Sequence, residues 1–303
     1  MKILDCERLK KDVWFDESES VTFNKNQFQN QNGIDFNFVS SDKRWLSENF
    51  SYILQMFDGI GSGETIFNQD YIWKKPKSFK KFENSTIMFW SGGPSSKKYI
   101  EDLKNKKISL PEDVDYNFAM NAFYKVFDDE SILPKIDMAV INKDTDKTDQ
   151  KLLKYIEKNN TAVVFEECKD SMIAETNISK LFPDRTSWYN TRYQSKTGIG
   201  TRFLLFSMIL GVKKIYFVGL DGFSKDLKEL GHAFEENKKF PTWNMNPSQV
   251  YHMIKRQFII FWEYVQNNLN DYFDCEFVNL AENYTEVSTF GKITKEWNDN
   301  INR

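Results

Sequence analysis

The sequence predicts an α/β fold built on a mainly parallel sheet, with helices on both faces. After Lys81, short apolar runs alternate regularly with longer amphipathic segments, which is typical of βαβ units. The 303 residues, of which 40% are hydrophobic and 16% aromatic, provide enough apolar material for one large or two modest domains. We therefore expect a globular chain with a substantial core rather than a disordered one.

The strands and helices can be placed from these runs. The predicted strands cover 86–90, 115–120, 137–141, 161–166, 214–219 and 274–279, and the predicted helices cover 95–106, 147–158, 198–211 and 247–269. The last helix has the clearest start, because Asn246 can cap it and Pro247 suits its first turn. Its buried face is predicted to hold Val250, Ile254, Phe258, Phe261, Trp262 and Val265.

Residues 1–85 differ in pattern from the rest and are predicted to form an N-terminal extension, followed by a domain over 86–303. The stretch 17–43 is polar and rich in Asn and Gln, and we assign it no structure. Apolar residues at helical spacing predict an amphipathic helix over 45–57. The glycine-rich run 59–63 follows it without a preceding strand, so it is more typical of a flexible turn than of a phosphate-binding loop.

Charge and cysteine content exclude several classes of protein. The 41 Lys and Arg nearly balance the 44 Asp and Glu, which argues against non-specific binding to nucleic acid or to anionic membranes. The three cysteines (Cys6, Cys168 and Cys275) are odd in number and far apart, so neither a disulfide framework nor a CxxC zinc site is expected. With two histidines, His232 and His252, mechanisms that need several imidazoles are excluded.

The sequence contains no apolar run near the roughly 18 residues of a membrane-spanning helix. Its N-terminus becomes charged too early for a signal peptide. We therefore expect a cytoplasmic protein without a transmembrane segment, with a peripheral position at the inner membrane as the alternative. The oligomeric state stays open, and a homo-oligomer is compatible with the sequence.

Ligands of open α/β sheets bind outside the carboxyl ends of the strands. The first strand runs into the small-residue loop 91–96, where Ser95 can cap the next helix and donate to a phosphate; an ordinary tight turn is the alternative. Asn121 and Asn142 follow the second and third strands, where they are either turn residues or ligand contacts. Asp221 follows the strand at 214–219 and is able to bind a ribose hydroxyl, hold a turn or act in catalysis.

Two further segments reach this edge of the sheet. Thr197 and Gly198 open an apolar helix, with Arg192 and Lys196 just before it as candidate phosphate neutralisers or ordinary surface charges. The excursion 222–246 contains His232 and Phe234 and has the length of a lid. His252 lies in the second turn of the last long helix, off its apolar face, and is the candidate catalytic histidine.

These motifs, in this order, resemble the bacterial sialyltransferases of glycosyltransferase family 42. More loosely, they resemble the motility accessory factor and 6-hydroxymethylpterin diphosphokinase-like proteins. The resemblance covers about residues 86–282. The matching segments are the Ser-Gly-Gly-Pro-Ser loop 91–95, the Asn-Ala-Phe-Tyr stretch 121–124, and the stretches 137–142, 196–221 and 233–235.

The resemblance implies a Rossmann-like nucleotide-binding domain with a lid. It implies a CMP-activated, sialic-acid-like sugar donor, a surface-glycan acceptor, and neither a metal nor a further cofactor. The catalytic base would be His252, and His232 and Phe234 would lie in the lid. The nucleotide-binding residues would be Gly92, Gly93, Ser95, Asn121, Asn142, Thr197, Gly198 and Asp221.

Three positions depart from the family pattern. Ser91 replaces the first loop glycine, Gly92 replaces the loop asparagine, and Ala122 replaces a glutamine that contacts the nucleotide. Two alternatives therefore stand beside the glycosyltransferase. One is a pyrophosphoryl transferase of the pterin diphosphokinase kind, with Mg²⁺ on carboxylates such as Asp144 or Asp221. The other is a non-catalytic accessory protein of surface-glycan or flagellin modification.

Overall fold

The computed structural model describes residues 77–128, 132–142, 145–166, 177–182, 185–189, 197–222, 231–235, 238, 246–266 and 274–301. The strands are β1 (Thr86–Trp90), β2 (Tyr116–Met120), β3 (Met138–Ile141), β4 (Ala162–Glu166), β5 (Thr186–Tyr189), β6 (Lys214–Val218) and β7 (Glu276–Asn279). The helices are α1 (Pro94–Lys104), α2 (Gln150–Asn159), α3 (Asn177–Leu181), α4 (Ile199–Ile209), α5 (Pro247–Tyr264) and α6 (Thr289–Ile301). Short 3₁₀ helices cover Lys77–Phe82, Phe123–Lys125 and Leu280–Tyr284.

The seven strands form one sheet in the order β5-β4-β3-β2-β1-β6-β7. Every neighbouring pair is parallel, and Ile87 of β1 lies between Tyr116 of β2 and Ile215 of β6. The strand order reverses between β1 and β6, and Rossmann-like sheets commonly bind their ligands near such a reversal. The α/β prediction is confirmed.

Each of the six predicted strands is present, with ends that differ by at most two residues from the prediction. The strand β5 was not predicted. Its sequence, Thr-Ser-Trp-Tyr, begins with two polar residues and therefore carries little of the apolar signal of a buried strand. The helices α3 and α6 were also not predicted.

Two apolar cores lie on the two faces of the sheet. On one face, α4, α5 and α6 cover the central strands, with Phe203 of α4 packed 5.2 Å from the ring of Phe89. On the other face, α1, α2 and α3 cover a second core, in which Trp90 packs against Tyr99 and Phe127. Helices on both faces are therefore confirmed. The strand β1 contributes side chains to both cores.

The helix α5 begins where its sequence signals place it. Pro247 is its first residue, and Asn246 accepts a hydrogen bond from Val250 N at 3.1 Å through its backbone oxygen. The predicted apolar stripe is buried throughout. The helix ends at Tyr264, five residues before its predicted end.

The core begins before residue 86. Phe79 and Phe82, in the 3₁₀ helix ahead of β1, are buried, and the ring of Phe82 meets that of Phe118 edge-on at 5.0 Å. Phe79 and Phe82, which lie on the N-terminal side of the predicted boundary at residue 85, therefore belong to the same core as β1, and the boundary stays a prediction. The interpretations of 17–43, 45–57 and 59–63 lie outside the described residues. Among the described helices, none combines the length and the apolar character needed to cross a membrane.

Candidate ligand site at the carboxyl edge of the sheet

The loops after β1 and β6 touch along their backbones. Ser91 N donates to Val218 O and Gly93 N donates to Gly219 O, both at 2.9 Å. Gly219 has a φ of +81°, and a Cβ at this position would stand 2.4 Å from Ser91 O. Only glycine tolerates both the left-handed backbone and this close approach. Gly219 therefore lets the two loops pack directly against each other and close the crevice between them.

Asp221 and Ser95 meet inside this closed crevice. The Asp221 carboxylate accepts hydrogen bonds from Ser95 N at 2.7 Å and from Ser95 Oγ at 2.5 Å, and Ser288 also hydrogen-bonds with it. Burial raises the pKa of Asp221 to about 6, against the opposing effect of the bonds from Ser288 and Ser95. The structure thus brings two predicted nucleotide-binding residues together and directs each side chain at the other.

His232 lies over the β1 loop. Ala233 N donates to Gly92 O at 2.8 Å, and a Cβ at Gly92 would stand 2.3 Å from His232 Nε2. The Nδ1 atom accepts hydrogen bonds from Phe234 N and Glu235 N, both at 3.2 Å. Because Nδ1 accepts, the ring proton resides on Nε2, and burial lowers the pKa of His232 to about 4. At neutral pH, His232 is therefore a neutral ring with its N–H beside Gly92.

The segment 231–235 is fixed on the core. Phe234 is buried and packs 6.0 Å from the ring of Phe127, and Glu235 forms an ion pair with Lys125 at 3.5 Å. These contacts join the described part of the excursion 222–246 to the chain that follows β2. His232 and Phe234 therefore lie against the loops that follow β1 and β2, and their role in a lid stays a prediction.

Asn121 and Asn142 hold the loops after β2 and β3 together. Asn121 has a φ of +52°, and its Oδ1 accepts from Asn142 N at 3.0 Å. The Oδ1 of Asn142 accepts in turn from Thr145 Oγ1 at 3.1 Å. Since Asn121 Oδ1 is an acceptor here, its amide NH₂ remains a donor that no described residue accepts from.

The β1 loop lies next to this pair, because Ser91 Oγ donates to Met120 Sδ at 3.1 Å at the end of β2. No described residue accepts a hydrogen bond from the Gly92 N–H. The edge therefore offers three uncharged donors, namely Gly92 N–H, the Asn121 amide and His232 Nε2–H. Uncharged N–H donors of this kind suit the oxygen atoms of an anionic or oxygen-rich ligand.

The start of α4 lies beside the loop after β6. A Cβ at Gly200 would stand 2.6 Å from Leu220, so the first turn of α4 packs directly on that loop. Gly198 has a φ of +95°, and no atom of the described residues lies within 4 Å of the point where a Cβ would stand. Thr197 Oγ1 shares a hydrogen bond of 2.9 Å with Thr201 Oγ1. The predicted phosphate neutralisers Arg192 and Lys196 lie outside the described residues.

His252 is exposed, and its ring packs against Tyr251 with centroids 5.3 Å apart. Phe258 lies six residues further along α5, which is about 9 Å of helix. The Phe258 ring stacks on Phe290, which lies close to Gly222 after the end of β6. Val250 and Ile254, two positions before and after His252, are buried in the core, so His252 lies on the outer face of α5. No described contact joins it to the β1 loop or to His232, so its catalytic role stays a prediction.

Ser288 is a site residue that the sequence reasoning missed. Its Oγ accepts from Gly291 N at 2.9 Å, so it caps α6 while it hydrogen-bonds with Asp221. The missed signal is local, since a serine followed by apolar residues at helical spacing, such as Phe290, Ile293 and Trp297, is typical of a helix start. Finding α6 from this signal would have placed its N-terminus near the site.

Comparison with known proteins adds no family assignment. No model of a protein family matches the chain, and no curated protein matches it at a significant level.

Proposed function

We propose that this chain is a metal-independent glycosyltransferase that transfers a sialic-acid-like sugar from a CMP-activated donor to a glycan acceptor. The motifs that resemble family 42 sialyltransferases suggest the reaction. The observation that carries the proposal is the position of His232, a neutral N–H donor held over Gly92 at the carboxyl edge of β1. A sugar nucleotide bound there would place its phosphate against uncharged donors.

The chemistry needs donors of this kind. As the acceptor hydroxyl attacks the anomeric carbon, the bond to the phosphate oxygen of CMP breaks and negative charge develops on that phosphate. Hydrogen bonds from His232 Nε2–H, Gly92 N–H and the Asn121 amide would stabilise this charge, since preorganised donors act most strongly where charge appears. CMP then leaves as the anion, and the acceptor proton passes to a base.

His232 is a poor candidate for that base. Its Nδ1 lone pair already accepts two backbone N–H groups, and Nε2 carries the proton. His252 is therefore kept as the proposed base, as the resemblance implies, and its exposed ring is accessible to an acceptor. His232 would stabilise the leaving group, and His252 would accept the proton of the acceptor hydroxyl.

The orientation of Asp221 favours this proposal over magnesium-dependent pyrophosphoryl transfer. Asp221 is 4% exposed and directs both carboxylate oxygens at Ser95, so it is not presented to a bound metal ion. The second candidate, Asp144, lies outside the described residues. Within the described ranges, no group of three or more His, Cys, Asp or Glu side chains is placed to hold a metal ion.

A thermal-shift panel with CMP, CDP, CTP, UDP, ATP and GTP, each with and without Mg²⁺, tests the proposal. Cytidine nucleotides should stabilise the protein without Mg²⁺, by about 2.7 kcal/mol when the nucleotide is at 100 times its Kd. Mg²⁺-dependent stabilisation by ATP alone would favour pyrophosphoryl transfer. No stabilisation by any nucleotide would favour the accessory protein.

Two substitutions at His232 test the carrying observation. His232→Gln keeps an N–H donor near the Nε2 position and should retain CMP binding, whereas His232→Ala removes the donor and should weaken it by about tenfold, the value of one charge-assisted hydrogen bond. Titration calorimetry measures both. Equal affinities in the wild type and in His232→Ala would remove His232 from the site.

A further inference from the structure

The N-terminus of α1 has an unusual cap. The residue before the helix is Gly93, which has no side chain to cap with, and the first helical residue is Pro94, which has no N–H. Ser95 N is therefore the first backbone donor of the helix, and it donates to Asp221 Oδ2 at 2.7 Å. A carboxylate 126 residues away in sequence thus occupies the place where a helix N-terminus binds anions.

Asp221 joins three separate elements at this point. Ser95 Oγ donates to its carboxylate at 2.5 Å and accepts from Gly219 N at 2.8 Å, which ties α1 to the end of β6. Ser288, the cap of α6, hydrogen-bonds with the same carboxylate. The backbone repeats the link, since Phe290 N donates to Asp221 O at 3.1 Å. Loss of one side chain would therefore loosen α1, β6 and α6 together.

The space around the carboxylate leaves no room for a second anion. A Cβ at Gly93 would stand 2.4 Å from Asp221 Oδ2, and both Asp221 and Ser95 are buried. A ligand phosphate that entered here would also meet the charge of Asp221. The first turn of α1 is thus closed to ligands in this structure.

We propose that Asp221 is a positioning residue and not a ligand contact: its carboxylate is an internal anion that fills the N-terminus of α1 and fixes the shape of the β1 loop. A ligand phosphate is then received on the other side of that loop, at Gly92. Only this last step rests on the proposed function, because the filling of the helix N-terminus can be tested without any nucleotide.

Chemical rescue tests the first part. Asp221→Ala should lower the melting temperature, and formate should restore part of the loss by occupying the emptied position. At about 100 mM formate, ten times a Kd of about 10 mM, the expected rise is roughly 3 to 6 °C. The wild type should show no comparable rise, because its own carboxylate is in place.

Asp137→Ala is the matched control. Asp137 is as deeply buried as Asp221 and accepts from Asn117 N at 3.0 Å, but it lies ahead of β3 and caps no helix. Formate should rescue Asp221→Ala more strongly than Asp137→Ala. Equal rescue of the two variants, or no rescue of Asp221→Ala, would overturn the assignment of an internal anion.

A second measurement separates positioning from ligand contact. If Asp221 only shapes the β1 loop, formate should raise the CMP affinity of Asp221→Ala at least threefold. If the carboxylate position belongs to the nucleotide site, formate should compete with CMP and lower its affinity. Absence of CMP binding in the wild type would count against the proposed function and leave the result of the formate rescue unchanged.

Asp221→Asn covers the case in which the alanine variant does not fold. Its amide oxygen can still accept from Ser95 N, so the variant should fold, ignore formate and bind CMP within about threefold of the wild type. A loss of CMP affinity beyond about tenfold at an unchanged melting temperature would show direct contact and overturn the positioning role.

Discussion

The buried carboxylate of Asp221 should make stability depend on pH in a direction opposite to that of most acidic residues. Burial raises its pKa from 3.8 to about 6. The folded protein therefore binds this proton more tightly than the unfolded chain does. The stabilisation is fully present below about pH 4 and is lost as pH rises through 6.

The size of the effect follows from the pKa difference. Each unit of pKa difference corresponds to 1.36 kcal/mol. Raising the pKa of Asp221 from 3.8 to about 6 therefore lowers the free energy of unfolding by about 3 kcal/mol once Asp221 is ionised. Asp221→Asn carries no proton to lose. Relative to the wild type, this variant should gain about 3 kcal/mol between pH 4 and pH 8.

Urea denaturation of the two proteins at intervals across that range measures the difference directly. Subtracting one curve from the other removes the contribution of all other titrating groups. Asp149→Asn is the control: the hydrogen bond from Tyr124 lowers the pKa of Asp149, so this carboxylate is ionised in both the folded and the unfolded protein above about pH 5, and the difference from the wild type should stay constant there. A constant difference between the wild type and Asp221→Asn from pH 5 to pH 7 would refute the reasoning.

Three further substitutions and one control, Gly231→Ala, probe the edge of the sheet. Gly92→Ala places a methyl group 2.3 Å from Nε2 of His232 and should abolish stabilisation by CMP. Gly231→Ala, where the methyl group meets the end of the Lys97 side chain, should stay within about 0.5 kcal/mol of the wild type in stability and keep the CMP thermal shift. Equal CMP thermal shifts in Gly92→Ala and Gly231→Ala would contradict the placement of the ligand at Gly92. Phe234→Ala should cost about 3 to 5 kcal/mol in denaturant unfolding, because its ring is 3% exposed, and an unchanged midpoint would show that this ring does not support the core. His252→Ala should abolish sugar transfer and leave the CMP thermal shift intact, since the ring is exposed; retained turnover would remove His252 from the mechanism.

The sheet was predictable where its strands carry apolar runs, which includes the edge strand β7 as well as the central strands. Central strands such as β1 and β6 are covered on both faces, so their sequences are continuous apolar runs that stand out from their surroundings. The strand β5 (Thr-Ser-Trp-Tyr) begins with two polar residues, so it gives no such signal. Helix α5 was predictable for a different reason, because its cap and its apolar stripe are both local features.

The position of the candidate site could be predicted from the sequence, but the hydrogen bonds between its residues could not. The rule that ligands bind at the carboxyl ends of strands selected Gly92, Asn121 and Asp221 from the sequence. It could not show that Asp221 bonds to Ser95, since that pairing depends on β6 lying beside β1 in the folded sheet. The orientation of His232 was equally hidden, because it depends on hydrogen bonds from the following turn and on the absence of a side chain at Gly92.

The pairing of β1 with β6 also delays the completion of the sheet during synthesis of the chain. Residue 86 of β1 pairs with residue 214 of β6, so one side of the central strand waits for 214 − 86 = 128 further residues. At about 5 to 20 residues per second, this wait lasts roughly 6 to 26 s. During that time the backbone groups on that side of β1, flanked by Phe89 and Trp90, have no strand to pair with. Slow translation between β2 and β6 should therefore promote aggregation of the nascent chain, and rapid completion of β6 should suppress it.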